Sequence, residues 1–122
     1  MLNNIIQGKS GVKPITSFDI SEFETKFAAT VDIAVEDFLD KKEVRRTDPF
    51  IQYGLIASKE CIEDSSIDLD NTDLSKFGVS IGSGIGGLGT IEENKTKLAE
   101  NGPKKISPFF VPGAISNMVS GY

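Results

Sequence analysis

The sequence predicts a mixed α/β chain, because helical periodicity and short strand-like apolar runs both occur within its 122 residues. Apolar residues spaced by three and four positions predict helices at both ends and over roughly 49–63 and 91–99. Short apolar runs beside glycine or polar residues predict strands within 27–33 and 77–82. The length suits a single domain with a core of its own.

The first third of the chain carries weak structural signals. The apolar residues of 2–6 have helical spacing, and Gly8 or Gly11 provides a stop. A loop is predicted over 9–18, and a short helical turn is predicted over 35–39.

The strongest helix signal lies over 49–63. Asp48 is a good N-cap residue, and Pro49 suits the first helical turn. Apolar side chains cover much of the circumference of this helix, which predicts that the helix is buried in a larger body. Cys61 lies within it and is expected to be an inert core residue.

The second half alternates between polar connections and helices. Residues 64–76 are acidic and polar, so they predict a surface connection, and 101–103 should end the helix over 91–99. An apolar loop or short strand is predicted over 106–111, followed by a helix from Pro112. Because neither terminal helix has a complete start and stop signal, we expect the chain to be a piece of a longer polypeptide.

The composition excludes several classes of function. Thirteen Lys and Arg residues against eighteen Asp and Glu residues give a net charge of −5, which argues against generic nucleic-acid binding. No apolar run is long enough to span a membrane, and the single cysteine indicates a reducing, cytoplasmic location without an internal disulfide framework. The chain has no histidine, so it cannot by itself supply Ser-His-Asp, Cys-His or His-metal chemistry. We predict no metal site and no cofactor, and the absence of a catalytic residue is what the resemblance given below implies.

A glycine-rich stretch over 82–89 permits three interpretations. Gly82, Gly84 and Gly87 match the letters of a dinucleotide-binding fingerprint, although the required second strand with its acidic end is absent. The stretch could instead form a tightly packed loop with several positive φ angles. In the third interpretation, the glycines let the backbone pass close to an acyl substrate.

Two clusters could lie at interfaces. If 41–46 is helical, Lys42, Arg45 and Arg46 share one face, which would suit either an acidic partner or a solvated turn. Phe109 and Phe110 are consecutive aromatic residues, which suits either an interface or pocket wall or a loop in the core.

Four segments together resemble the β-ketoacyl-acyl-carrier-protein synthase II family, the condensing enzymes of fatty-acid elongation. They are residues 8–12, 50–54, 81–94 and 102–112. The resemblance implies a partial thiolase-like α/β fold of layered αβαβα type that lacks the first strand and the catalytic half. It also implies that 1–122 is an internal part of the N-terminal half of a synthase, with no separate second domain.

The resemblance implies an acyltransferase that condenses malonyl-carrier protein with an acyl thioester after decarboxylation. The family's catalytic cysteine and two histidines lie beyond this chain, so the chain is expected to be inactive alone. A freestanding acyl- or carrier-protein-binding module derived from a truncated synthase is the alternative. A nucleotide-binding domain is a third possibility.

The family's site residues match five positions here. Lys42, Arg45 and Arg46 match basic residues that dock the acidic acyl carrier protein. Ile85 matches the residue that gates the acyl pocket, and Phe110 matches a residue that lines the acyl pocket of the neighbouring subunit. The expected partners are therefore an acyl carrier protein and a second subunit of a homodimer, with no nucleic acid and no membrane.

Overall fold

The computed structural model describes residues 2–122, with Leu2 described by its backbone only. The chain divides between Ile33 and Ala34 into two units. The first unit contains α1 (Leu2–Ile6), β1 (Val12–Pro14) and β2 (Phe27–Ala29). The predicted first helix is confirmed, although the side chain of Leu2 in its apolar face lies outside the described residues.

β1 and β2 form a two-stranded antiparallel sheet in which Val12 lies opposite Ala29 and Pro14 lies opposite Phe27. The strand predicted within 27–33 is therefore shorter than expected, and its partner lies in a segment predicted as a loop. Proline lacks the N–H that a ladder needs, which limits β1. Phe27 is 61% exposed, so this sheet has no buried face of its own.

The second unit is helical throughout its regular structure. Its helices are α2 (Lys41–Arg46), α3 (Pro49–Ser65), α4 (Leu88–Asn101), α5 (Phe110–Ala114) and α6 (Met118–Gly121). Short 3₁₀ turns occur at Val35–Asp37, Leu74–Lys76 and Pro103–Lys105. None of the helices described over 2–122 is both long enough and apolar enough to cross a lipid bilayer.

The helix predicted over 49–63 is confirmed as α3. It ends where Ser66 takes a left-handed conformation with φ of 55°. Ile51 and Ile56 are buried, and together with Val119 of α6 they form the apolar core of the described residues.

The described residues cover α3 on part of its circumference. α6 contacts it at Gly54, where Val119 fills the space beside the glycine, and the buried Gln52 is held by the end of α2. Burial of the remaining apolar surface in a larger body stays a prediction. Cys61 lies about two helical turns beyond Gly54 and is exposed, so the predicted core position of Cys61 is wrong.

The strand predicted over 77–82 does not form. The backbone of Ile81 forms hydrogen bonds with a side chain and not with a neighbouring strand. The Ser120 hydroxyl accepts from the Ile81 N–H (2.9 Å) and donates to the Ile81 carbonyl (3.2 Å). The glycine stretch therefore does not follow a strand, which removes the structural context that the dinucleotide fingerprint requires.

The glycine stretch packs tightly at only two positions. Gly86 is the single residue of 82–89 with a positive φ (75°), so the predicted series of positive φ angles is wrong. The Gly87 N–H donates to the Ala114 carbonyl at 3.1 Å, and a Cβ at Gly87 would lie 2.0 Å from the Gly113 oxygen. The loop thus brings its backbone directly against the end of α5.

The helix predicted over 91–99 is confirmed as α4, which begins three residues earlier and ends at Gly102 with φ of 78°. The helix predicted from Pro112 is two short helices instead. Ile115 is extended between them (ψ 125°), and the Ala114 carbonyl bonds to Gly87 rather than continuing a helical ladder.

We expect Gly87→Ala to lower the free energy of unfolding by about 1–3 kcal/mol, because the added methyl group would meet backbone rather than a movable side chain. Urea unfolding measures the change. Gly84→Ala is the matched control, since nothing lies within 4 Å of its Cβ position. Equal stability of the two variants would contradict the close packing of the loop on α5.

Candidate functional site: a basic helix on a buried polar network

Asp48 holds the starts of two helices with one carboxylate. It is 7% exposed. Its Oδ1 accepts from the Phe50 N–H in the first turn of α3 (3.2 Å). Its Oδ2 accepts from the Thr90 N–H (3.0 Å) and the Thr90 hydroxyl (2.7 Å). The N-cap of α4 is Gly87, which has no side chain, so Asp48 supplies the capping oxygen from a distant part of the chain.

Two buried amides extend this network. Asn94 donates from Nδ2 to the Thr90 carbonyl and accepts at Oδ1 from the Ser107 N–H, both at 2.8 Å. Gln52 donates from Nε2 to the carbonyls of Val44 (3.0 Å) and Thr47 (2.8 Å). Throughout residues 2–122, no buried side-chain N or O atom lacks a hydrogen-bond partner. The network therefore fixes α2, α3, α4 and the segment before α5 as one arrangement.

Residues 41–46 are helical, which meets the condition under which Lys42, Arg45 and Arg46 share one face, and the start of this helix is well capped. Asp40 Oδ1 accepts from the N–H groups of Lys42 (2.7 Å) and Glu43 (2.8 Å), and the Glu43 carboxylate accepts from the Asp40 N–H. The hydrogen bonds from these two backbone N–H groups hold the pKa of the Asp40 carboxyl below its usual range. The bond from Glu43 has the larger effect and the bond from Lys42 the smaller. The cap is therefore charged near neutral pH, where it favours the helix N-terminus.

The basic side chains of α2 are exposed, and one of them touches an aromatic ring. The Arg46 guanidinium carbon lies 5.0 Å from the centroid of Phe109, within the range of a cation–π contact. Phe109 is 37% exposed and lines three open grooves, two of which also include Lys42. One of these two grooves, of about 430 Å³, is lined by Lys41, Lys42, Arg45, Arg46 and Phe109. The other, of about 500 Å³, is lined by Asp40, Lys42, Glu43, Arg46, Phe109, Pro112 and Tyr122.

The two residues matched to an acyl pocket lie on segments that contact each other. Phe110 is half-buried and begins α5, while Ile85 precedes the two glycines that pack on the end of α5. The Ile85 side chain itself is 70% exposed, so the described residues leave most of it uncovered. The structure thus brings the two segments together without enclosing a pocket around Ile85.

The sequence did not reveal the partners of Asp48, Asn94 and Arg46. The sequence pattern identifies Asp48 as the cap of α3 and includes Thr90 and Asn94 in the family-like segment 81–94, without indicating that the three side chains are linked. A signal was available in the unusual start of α4, because a helix whose N-cap is glycine leaves N–H groups in need of an acceptor.

Over 2–122 no three His, Cys, Asp or Glu side chains group closely enough to hold a metal ion.

Curated proteins that share one name match almost the whole chain. The 3-oxoacyl-[acyl-carrier-protein] synthase 2 of Coxiella burnetii is 49% identical over 122 residues, covering 99% of this chain and 30% of that protein. The enzyme of the same name from Vibrio harveyi is 44% identical over 118 residues (96% and 28%), and that from Staphylococcus aureus strain N315 is 39% identical over 119 residues (97% and 29%). The chain spans about 30% of the length of these curated relatives.

A solved structure shares the fold. It is a complex described as a type II PKS acyl-carrier protein with its ketosynthase bound to the hexaketide, and the match has a TM-score of 0.69 at 24% identity. The match covers 75% of this chain and 26% of the other chain. Residues 1–122 also match the family described as Beta-ketoacyl synthase, N-terminal domain. The resemblance found in the sequence is therefore confirmed, and the chain belongs to the β-ketoacyl synthase family.

Proposed function

We propose that this chain serves as the N-terminal part of a 3-oxoacyl-[acyl-carrier-protein] synthase with a layered thiolase-like fold. The complete enzyme would condense malonyl-carrier protein with an acyl thioester in fatty-acid biosynthesis. The names of the relatives and their identity over the chain support this assignment. Because the chain contains no histidine, we propose that the catalytic cysteine and histidines are supplied from outside it and that it is inactive alone.

The observation that carries the proposal is the exposed basic face of α2. Lys42, Arg45 and Arg46 present three positive charges beside two grooves, on a chain whose net charge is −5. A local positive patch on an acidic chain selects acidic partners, because potentials of opposite sign steer the encounter. We assign this face to docking of an acyl carrier protein. The structural neighbour, a ketosynthase in complex with an acyl-carrier protein, supports the choice of partner.

We assign Ile85 and Phe110 to the acyl pocket. A growing acyl chain needs an apolar lining, and Ile85 offers a largely uncovered aliphatic side chain. Phe110 begins α5, which packs on the glycine loop next to Ile85. In the proposed homodimer, Phe110 lines the acyl pocket of the neighbouring subunit.

A freestanding carrier-binding module is the second candidate. The observation that favours it is that 34–122 has its own apolar core and a buried polar network without an unpaired side-chain atom. Folding and carrier binding by the isolated chain separate the two proposals. The module requires the isolated chain to unfold cooperatively and to bind carrier protein, so failure of either removes it and leaves the synthase part. Condensation by the isolated chain would contradict both proposals, because it would place catalytic residues within these 122 positions.

We expect Lys42→Glu with Arg45→Glu to weaken carrier-protein binding on the order of tenfold at low ionic strength, because two attractive charges become repulsive. The protein for this test is a hybrid synthase, in which residues 1–122 replace the matching segment of the Coxiella burnetii relative. Titration calorimetry at two salt concentrations measures the effect, which should shrink as salt screens the charges.

Lys59→Glu with Lys95→Glu is the matched control for this charge reversal. Both lysines are exposed, on α3 and α4, and the pair changes the net charge by the same amount. The control should leave the affinity within about twofold, since it lies outside the proposed face. Equal weakening by both pairs would mean that net charge, rather than α2, attracts the carrier.

We expect Ile85→Phe in the hybrid synthase to lower kcat/KM for a long-chain acyl substrate on the order of tenfold relative to a medium-chain one, because the larger side chain would shorten the pocket. Steady-state kinetics with the two acyl carriers measures the ratio. Ile67→Phe, at another exposed isoleucine (41%) in the polar connection, is the control. An unchanged ratio would remove Ile85 from the acyl pocket.

A further inference from the structure

Arg46 differs from the two other basic residues of the docking face. Lys42 and Arg45 form no salt bridge and no side-chain hydrogen bond with the described residues, so their charges are available to a partner. Arg46 instead lies over the ring of Phe109 at 5.0 Å. A guanidinium can use its face for an aromatic ring and its edge for a carboxylate at the same time. Arg46 is therefore able to contact the partner and the protein simultaneously.

Phe109 begins a short, well-held segment that leads to both proposed pocket residues. Its N–H donates to the Ser107 hydroxyl (3.1 Å), and its carbonyl accepts from the Gly113 N–H (2.8 Å) across α5. At the other end of α5, the Ala114 carbonyl accepts from the Gly87 N–H (3.1 Å). Phe110 lies inside this segment, and the loop that ends at Gly87 carries Ile85.

We propose that Arg46 is a positioning residue that ties the docking helix to the acyl-pocket wall. It would hold Phe109, and through α5 both Phe110 and the glycine loop, at a fixed distance from α2. The inference rests on the proposed function of the docking face and the pocket. Its consequence is that Arg46 affects acyl-chain selectivity as well as carrier affinity, whereas Lys42 and Arg45 affect carrier affinity only.

The packing around Phe109 supports a positioning role. The ring lines both grooves beside α2, so α2 and the start of α5 face each other across it. Ser107, two residues earlier, is held by the buried Asn94, which anchors one side of the segment. The Phe109 ring, on the other side of the segment, is partly exposed and has no polar group that could anchor it. The contact with Arg46 holds it there. Loss of the Arg46 contact should thus let the start of α5 shift.

The test uses the hybrid synthase with Arg46→Gln, Phe109→Leu and the double variant, and with Lys42→Gln as the docking comparison. Two quantities are measured for each protein: the carrier-protein Kd, and the ratio of kcat/KM for long-chain over medium-chain acyl substrates. We expect Arg46→Gln and Phe109→Leu each to change the ratio about two- to fivefold in the same direction, the range of an exposed cation–π contact. The double variant should change it no further, because both substitutions remove the same contact.

Two further variants separate positioning from general destabilisation. Phe109→Tyr keeps the aromatic face and should retain the wild-type ratio. Phe77→Leu removes a phenylalanine of similar exposure (38% against 37%) away from the segment and should also retain it. If Arg46→Gln leaves the ratio unchanged while weakening carrier binding as Lys42→Gln does, Arg46 is a docking residue only and the inference is wrong.

The inference and the proposed function fail in different ways. If neither Lys42→Gln nor Arg46→Gln changes the carrier Kd, docking on α2 is wrong, whatever happens to the acyl-length ratio. The contact itself is checked in the 122-residue chain by the NMR signal of the Arg46 Nε–H. The ring should shift this signal upfield, and Phe109→Leu should abolish the shift while Phe109→Tyr retains it. An Arg46 signal that is unaffected by Phe109→Leu would overturn the inference.

Discussion

The carboxylate of Asp48 is the interaction on which the geometry of the helical unit depends. It caps α3 through Phe50 and also supplies the capping oxygen for α4 through Thr90. A hydrogen bond to a charged group contributes about 1.5–3 kcal/mol to stability, and here three such bonds meet on one buried side chain. The angle between α3 and α4 is therefore set by a polar contact. The position of the glycine loop depends on the same contact, because that loop leads directly into α4.

This dependence on polar contacts follows from how little apolar surface the unit buries. Ile51, Ile56 and Val119 are the buried apolar side chains among the described residues. Large apolar side chains remain exposed elsewhere, with Ile85 at 70% and Val111 at 58%. Exposed apolar groups of this size mark surfaces that contact another body. Since the chain spans about 30% of its curated relatives, we propose that the remainder of a synthase or a second subunit covers them.

The sequence predicted the features that local chemistry determines. The Asp48–Pro49 start located α3, because caps act within a few residues. The spacing of Lys42, Arg45 and Arg46 placed them on one face only on the condition that 41–46 is helical, and α2 meets that condition.

Contacts between distant residues were not predictable from those patterns. Thr90 lies 42 positions from Asp48, and the Ser120 hydroxyl that replaces a strand partner at Ile81 lies 39 positions away. Nothing in the local pattern of 77–82 distinguishes a strand from an extended segment held by one hydroxyl. The exposure of Cys61 was missed for the same reason, because burial depends on which element covers a helix face rather than on the apolar content of that face.

The most direct test of the central role of Asp48 is amide hydrogen exchange at Thr90. Thr90 lies in the first turn of α4, where backbone N–H groups have no partner within the helix. Its protection must therefore come from the Asp48 carboxylate. We expect the Thr90 amide to exchange as slowly as amides inside α3, and we expect Asp48→Ala to abolish this protection. Exchange of the wild-type Thr90 amide at the rate of an unprotected loop amide would contradict the central role of Asp48.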